Sequence, residues 1–252
     1  MAEEYKSYEE KWGGRAKRAR KEDILQSVID PGDFGRGKNR FIDYVQKIAL
    51  SKHLVNAASL LDFGCGTGRF LLWSSSRASW IVGIDITREM ILLAKGHTRN
   101  LANVRLVRCS CNHLPFRDES FDNVLDVAVL QVLVLGEDDC VNAVNEMVRV
   151  LKTGGKAYVI EQVQGTPTTM RSHEDYLKMF RGCTCVVHKP VMRRGWGKSS
   201  SKMVVLAWKK KMPPFAFPLF GRIEMIMAKR HFEKRRASFD GDYLFVFEKG
   251  AT

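Results

Sequence analysis

From residue 60 onward the chain alternates short apolar runs with stretches of helical period. The runs read SLLDFG, WIVGID, VRLVRC, FDNVLDVAVL and KAYVIEQ. Near-continuous apolar strands separated by helical segments predict a parallel α/β sheet with helices on both faces. Between the fourth and fifth runs, Val141, Val144, Val148 and Leu151 recur at i, i+3, i+7 and i+10, which predicts a helix with that stripe in the core, ended by Gly154. Ahead of the first run, Phe41, Ile42, Val45, Ile48 and Ala49 predict a helix over 38–54, preceded by a loop over 30–39 rich in turn residues. Beyond residue 164 the pattern is less regular. It predicts a short helix over 172–180, apolar β-type stretches at 185–191 and 203–208, a helix over 222–232 and a closing strand YLFVFE.

Composition sets the frame for these elements. A chain of 252 residues, 45% apolar and 27% charged, can bury a sizeable core. The apolar runs at 81–86 and 124–135 fall short of the roughly 18 residues that a membrane-spanning helix needs. The polar, acidic start MAEEYKSYEEKWGG lacks the apolar stretch of a secretory signal, so a cytoplasmic location is the expectation. The six cysteines, including the Cys109/Cys111 and Cys183/Cys185 pairs, are then expected as reduced thiols, and CxC spacing does not match a structural zinc site, so no metal is expected.

Charge divides the chain unevenly. Of the net +13, residues 1–59 contribute +3, residues 60–165 contribute −1 and residues 166–252 contribute +11. A neutral middle with a basic final third points to a surface facing an acidic partner, with a solvated cationic face as the alternative.

The sharpest chemistry is in Leu60-Leu61-Asp62-Phe63-Gly64-Cys65-Gly66-Thr67-Gly68-Arg69-Phe70. A strand ends there in a glycine-rich turn that opens a helix, so the backbone can approach a ligand that any Cβ would push away. A dinucleotide fingerprint would need glycine where Arg69 stands, and the Gly-Lys-Ser/Thr of a phosphate loop is absent. Asp85, at the end of the second run, lies where an acid can accept both hydroxyls of a ribose.

This segment resembles the first motif of class I S-adenosylmethionine-dependent methyltransferases, of the small-molecule "type 11" kind, and matches it at every position. Asp85, the stretch LPFRDESFDNVLDVAVLQ and the stretch EMVRVLKTGGKAYVIE continue the resemblance in order across residues 60–165. It implies a Rossmann-like, doubly wound, mostly parallel seven-stranded sheet. Residues 1–59 would be an N-terminal helical cap, 60–165 the cofactor-binding core, and 166–252 the rest of the sheet with a basic insertion shaping the acceptor pocket. The implied cofactor is S-adenosyl-L-methionine, held by Asp62, Gly64, Cys65, Gly66, Gly68, Asp85, Ile86, Ser110, Cys111, Asn112 and Asp126. Asp62 would orient either the loop or the methionine amine. Tyr5, Tyr8 and Trp12 are lid candidates, with an exposed amphipathic helix as the alternative.

Three departures bear on these roles. Ser110 stands where many relatives have an acid for the adenine amine, which leaves Ser110, Asn112 or a backbone carbonyl to hold it. Thr153 stands where proline is usual. The histidine that many small-molecule members show after strand four is missing, since the chain reads Leu130-Gln131-Val132. No catalytic base is carried over, and Asp126, Glu161 and His173 are weaker candidates for contact with the acceptor.

Methyl transfer from a sulfonium needs chiefly positioning and exclusion of water. The expected activity is therefore transfer to an oxygen or nitrogen of a small acidic or glycan- or lipid-linked acceptor. Arg193-Arg194, Lys209-Lys210-Lys211 and Lys234-Arg235-Arg236, interleaved with aromatics, leave RNA or an anionic membrane surface as further partners. An RNA methyltransferase and a non-catalytic cofactor-binding scaffold are the alternative readings.

Overall fold

The computed structural model describes residues 2–18, 23–33, 37–133, 137–164, 171–193, 212–234 and 239–251. Its elements in chain order are α1 (Ala2–Arg18), α2 (Gly37–Leu50), β1 (Ala57–Phe63), α3 (Arg69–Ser74), β2 (Ala78–Asp85), α4 (Arg88–His97), β3 (Val104–Arg108), β4 (Phe121–Val127), α5 (Glu137–Val150), β5 (Leu151–Gln164), α6 (His173–Met179), β6 (Cys183–Arg193), α7 (Phe217–Lys234) and β7 (Asp240–Lys249).

The seven strands form one sheet in the order β3-β2-β1-β4-β5-β7-β6. The pairs β1–β2, β1–β4, β2–β3 and β4–β5 are parallel, and β7 runs antiparallel between β5 and β6. This is the doubly wound α/β architecture expected from the sequence. The order reverses beside β1, and in an open parallel sheet the crevice outside the carboxyl ends of strands at such a point is where ligands bind.

Two apolar layers clamp the sheet. One face packs Leu61, Phe63, Val82, Val124 and Val159 against α5 and α6; the other packs Leu60, Ile81, Leu125, Tyr158 and Ile160 against α2, α3 and α7. Strands covered on both sides must be apolar on both sides, which is why their runs read as nearly continuous.

Several boundaries differ from the sequence expectation. The α5 stripe is Cys140, Ala143, Val144, Met147 and Val150, whereas Val141 is 44% exposed: the apolar period fitted two stripes one residue apart, and packing selected the other. Helix α2 ends at Leu50, not 54. Helix α7 starts at Phe217 rather than 222, because Pro218 falls in the first turn, where its missing N–H costs nothing. Strand β5 extends to Gln164, since β7 pairs with it as far as Gln164↔Asp240; Glu161 is therefore inside the strand and not beyond it. Helix α6 is fixed locally by a capping box, in which Ser172 Oγ accepts from the Asp175 N–H and the Asp175 carboxylate accepts from the Ser172 N–H. The β-type stretch at 203–208 and the clusters at 194, 209–211 and 235–236 lie outside the described residues. Among the described residues no helix is long and apolar enough to cross a membrane.

The N-terminal section is a helix folded onto the sheet's carboxyl edge. Helix α1 packs on α4, and Glu9 pairs with Arg108 at the end of β3. Arg193, one of the predicted basic cluster, is buried in a bidentate pair with Glu224 of α7 at 3.0 and 2.8 Å.

Candidate cofactor and acceptor cleft

The turn after β1 holds three glycines with φ of +69° (Gly64), +52° (Gly66) and +84° (Gly68), a left-handed backbone that L side chains rarely adopt. At Gly64 the constraint is also spatial, since a Cβ would stand 2.4 Å from Val129 Cγ2. The turn thus packs under the loop that follows β4, and the two together make one wall of an open cleft.

Two carboxylates stand in this cleft, one at each of two neighbouring strand ends. Asp62 is buried, its Oδ2 has no hydrogen-bond partner, and burial, with some help from Asp85 and against the pull of Arg69, pushes its pKa up to about 7. Asp85 Oδ2 accepts from the Gly66 N–H at 3.0 Å, and Oδ1 accepts from the Thr87 N–H at 2.8 Å. Burial raises the Asp85 pKa, opposed by these backbone donors. A carboxylate has about four lone-pair sites, so both oxygens of Asp85 can still accept from a ligand.

The other walls are largely apolar. Ile86, Met90, Cys109 and Cys111 line the side next to Asp85, while Val127, Val129, Val132 and Leu133 line the side below the β4 loop. Tyr8 and Trp12 of α1 and Val28 complete the lining from the N-terminal section. Both Cys109 and Cys111 are thiols whose pKa burial pushes up, to about 11 and about 12, so they serve as neutral apolar surface. Among the described lining residues Asp62 and Asp85 are the carboxylates, Arg69 is the cation, and none lies beyond Leu133.

Of the predicted cofactor residues, the cleft brings together Asp62, Gly64, Cys65, Asp85, Ile86 and Cys111. Gly66 and Gly68 shape the turn from behind. Ser110 and Asn112 are off the lining: Ser110 Oγ accepts from the Asn112 N–H, and Asn112 Nδ2 donates to Asp139 at 2.7 Å. Asp126 is completely buried below the cleft beside Glu161, and no donor meets either of its oxygens. Burial and the neighbouring Glu161 carboxylate push the Asp126 pKa well above the usual range, while burial pushes Glu161 up to about 7. Glu161 in turn accepts the N–H groups of Leu130 and Gln131, both at 2.9 Å, and so pins the loop that forms the cleft wall. His173 opens α6 inside an aromatic cluster with Tyr243, Phe232 and Phe245, outside the lining. Tyr8 and Trp12 line the cleft; the side chain of Tyr5 lies outside the described residues.

Sequence reasoning missed Arg69 and Val28. Arg69 sits where a dinucleotide site would have glycine, and its Nη1 donates to Asp43 at 3.0 Å and Gln46 at 2.9 Å of α2. The side chain is thereby turned into the cleft wall. A second, open cavity adjoins the first and shares Trp12, Val28, Arg69, Ala128 and Val132 with it.

Comparison with known proteins agrees with this geometry. A family model described as "Methyltransferase domain" matches residues 61–159. The chain is 30% identical over 137 residues to a demethylmenaquinone methyltransferase of Staphylococcus carnosus, covering 53% of this chain and 55% of the relative. It is 34% identical over 152 residues to a ubiquinone/menaquinone biosynthesis C-methyltransferase of a Geobacter species, covering 58% of this chain and 59% of the relative. The chain thus spans little more than half the length of either. Among solved structures, geranyl diphosphate C-methyltransferase from Streptomyces coelicolor A3(2), in complex with Mg2+, geranyl diphosphate and S-adenosyl-L-homocysteine, superposes with a TM-score of 0.60 at 16% identity, covering 88% of this chain and 86% of that one.

Proposed function

Since the chain belongs, through residues 61–159, to the class I S-adenosylmethionine-dependent methyltransferases, we propose that it transfers the methyl group of S-adenosylmethionine to a carbon nucleophile on a conjugated, largely apolar acceptor. The observation that supports this most directly is the make-up of the cleft: two carboxylates at adjacent strand ends, Asp62 buried with an orphaned oxygen and Asp85 partly buried, and walls that are otherwise largely apolar. Carbon, in place of the oxygen or nitrogen expected from the sequence, is favoured because one relative is named a ubiquinone/menaquinone biosynthesis C-methyltransferase and another a demethylmenaquinone methyltransferase.

The residues present fit the cofactor. Asp62 Oδ2, buried without a donor, suits an ammonium group, which would hold the acid ionised. Asp85 suits a pair of ribose hydroxyls, and the apolar surface of Ile86, Met90, Cys109 and Cys111 suits a flat base. When bound, the cofactor supplies an activated methyl on a sulfonium whose S–C electron pair returns to sulfur as the bond to the acceptor forms. The chain's own work is positional. Trp12, Tyr8 and Val28 exclude water from above, and the β4 loop, held by Glu161, sets the wall against which the acceptor lies.

The test is incubation of the purified protein with S-adenosylmethionine and reduced demethylated quinones, followed by mass spectrometry and NMR of the product. Formation of S-adenosylhomocysteine together with a ring C-methyl product is the expected result. An O-methyl ether as sole product, or failure to bind either form of the cofactor, overturns it.

A further inference from the structure

The second cavity is chemically unlike the first. Its exposed wall area is mostly polar, and among the described residues Lys11, Arg15, Arg69, Gln46 and Gln131 contribute to it while no carboxylate does. Arg69 and Gln46 are committed: Arg69 to Asp43 and Gln46, and Gln46 also to Asp242, to which its Nε2 donates at 2.9 Å.

Lys11, Arg15 and Gln131 are different. Lys11 is exposed and makes no ion pair among the described residues; its ammonium lies 5.9 Å from the Trp12 ring centre. The Arg15 guanidinium lies 4.6 Å from the same ring and makes one long contact, 3.5 Å, to the Ser27 carbonyl. The nearby Asp30 is itself paired with Lys38 at 2.7 Å. Gln131 Oε1 accepts from the Gln162 N–H at 2.9 Å, which fixes the amide so that Nε2 is left as a donor. The uncommitted groups of this cavity are therefore all donors, two of them cationic.

We propose that this cavity is an acceptor subsite for an anionic oxygen group, a carboxylate or phosphate carried by the methyl acceptor, held by Lys11, Arg15 and Gln131. The inference rests on the cofactor reading of the main cleft and extends it to the class of acceptor: a conjugated apolar body in the main cleft with an acidic group reaching past Trp12. Charge complementarity favours an anion, since the described side-chain groups left available in this cavity are donors and two of them, Lys11 and Arg15, are cationic. The cofactor's own carboxylate is the competing source of the same chemistry. The lining of this cavity includes neither Asp62 nor Asp85, the two carboxylates assigned to the cofactor above.

The experiment uses inorganic pyrophosphate as the probe, titrated into the full-length protein with and without saturating S-adenosylhomocysteine. Wild type is compared with Lys11→Gln, Arg15→Gln and Arg15→Lys, and each variant is also titrated with S-adenosylhomocysteine and with methylthioadenosine, which lacks the carboxylate. Saturable pyrophosphate binding is expected, weakened about tenfold by Arg15→Gln and about threefold by Lys11→Gln, and largely kept by Arg15→Lys, with affinity for both nucleosides unchanged. Lys11 is exposed, so that variant keeps the test valid if Arg15→Gln folds poorly. Absence of pyrophosphate binding to wild type, or binding indifferent to both residues, overturns the proposal. So does loss of S-adenosylhomocysteine affinity with methylthioadenosine affinity kept, which assigns the cations to the cofactor. If wild type binds neither nucleoside, the cofactor reading fails; pyrophosphate binding sensitive to Arg15 then still supports an anion subsite, and insensitive binding overturns it.

Discussion

The backbone N–H of Gly66 donates to Oδ2 of Asp85 at 3.0 Å, so the glycine turn after β1 and the acid at the end of β2 are one hydrogen-bonded unit. Asp85→Ala should therefore do two things at once. It removes the acceptor for the Gly66 and Thr87 N–H groups and the ligand's hydroxyl partner. With each hydrogen bond to a charged group contributing about 1.5–3 kcal/mol, affinity for S-adenosylhomocysteine should fall at least about tenfold by calorimetry, together with a lower melting temperature. Unchanged affinity would remove Asp85 from the site.

Asp62 titrates at about 7 in the free protein because it is buried without a partner. An acid whose folded pKa is raised binds more protons in the native than in the unfolded state between its unfolded value and about 7. Its contribution to stability therefore declines as pH rises through that window. An ammonium placed on Asp62 needs it ionised, so cofactor binding at pH 6 should release close to one proton, and affinity should climb toward pH 8. Calorimetry in buffers of different ionisation enthalpy measures this proton; Asp62→Asn should abolish both the release and the pH dependence.

Burial and the neighbouring Glu161 carboxylate favour the protonated form of Asp126, while Glu161 keeps the two backbone N–H groups of the β4 loop. Asparagine at 126 mimics that protonated partner without titrating. Asp126→Asn should leave the melting temperature at pH 6 within about two degrees and raise it at pH 9, where the native pair is forced to ionise. Glu161→Ala, by contrast, strands two N–H groups and should cost about 2–4 kcal/mol of stability at every pH.

Gly64→Ala tests the closeness of the two loops. The new Cβ would meet Val129 Cγ2 at 2.4 Å from a φ of +69°, so both a left-handed penalty and a clash apply. A loss of about 2–3 kcal/mol is expected. Pairing it with Val129→Ala relieves the clash but not the φ, and should restore about half; full restoration would show that backbone strain contributes nothing.

The parts of this site visible in the sequence were those with a period or a backbone requirement. Glycines at 64, 66 and 68 after an apolar run mark a turn that needs positive φ, and Asp85 ends the next run, so strand ends and acids were both legible. Asp126 was not, because β4 is covered on both faces and its apolar residues lie on both sides; alternation then gives no phase to say whether the acid faces the cleft or the β5 neighbour. Ser110 and Asn112 lie in a loop, which has no period to hold register; Ser110 Oγ accepts the Asn112 backbone N–H and the Asn112 amide donates to Asp139. Val28 and Arg69 lie in turn and helix start, where only tertiary contact, Arg69 to Asp43 and Gln46, decides direction. The strands from β1 to β5 were legible because each carried its own apolar run, whereas their order in the sheet is set by tertiary pairing.

Trp12, Val28, Arg69, Ala128 and Val132 are walls of both cavities. A boundary held in common cannot be tuned for one occupant alone. Any coupling that these five residues carry between a molecule in the main cleft and one in the neighbouring cavity acts equally in both directions. The indole of Trp12, with Arg15 over its ring, is the partition the two cavities share.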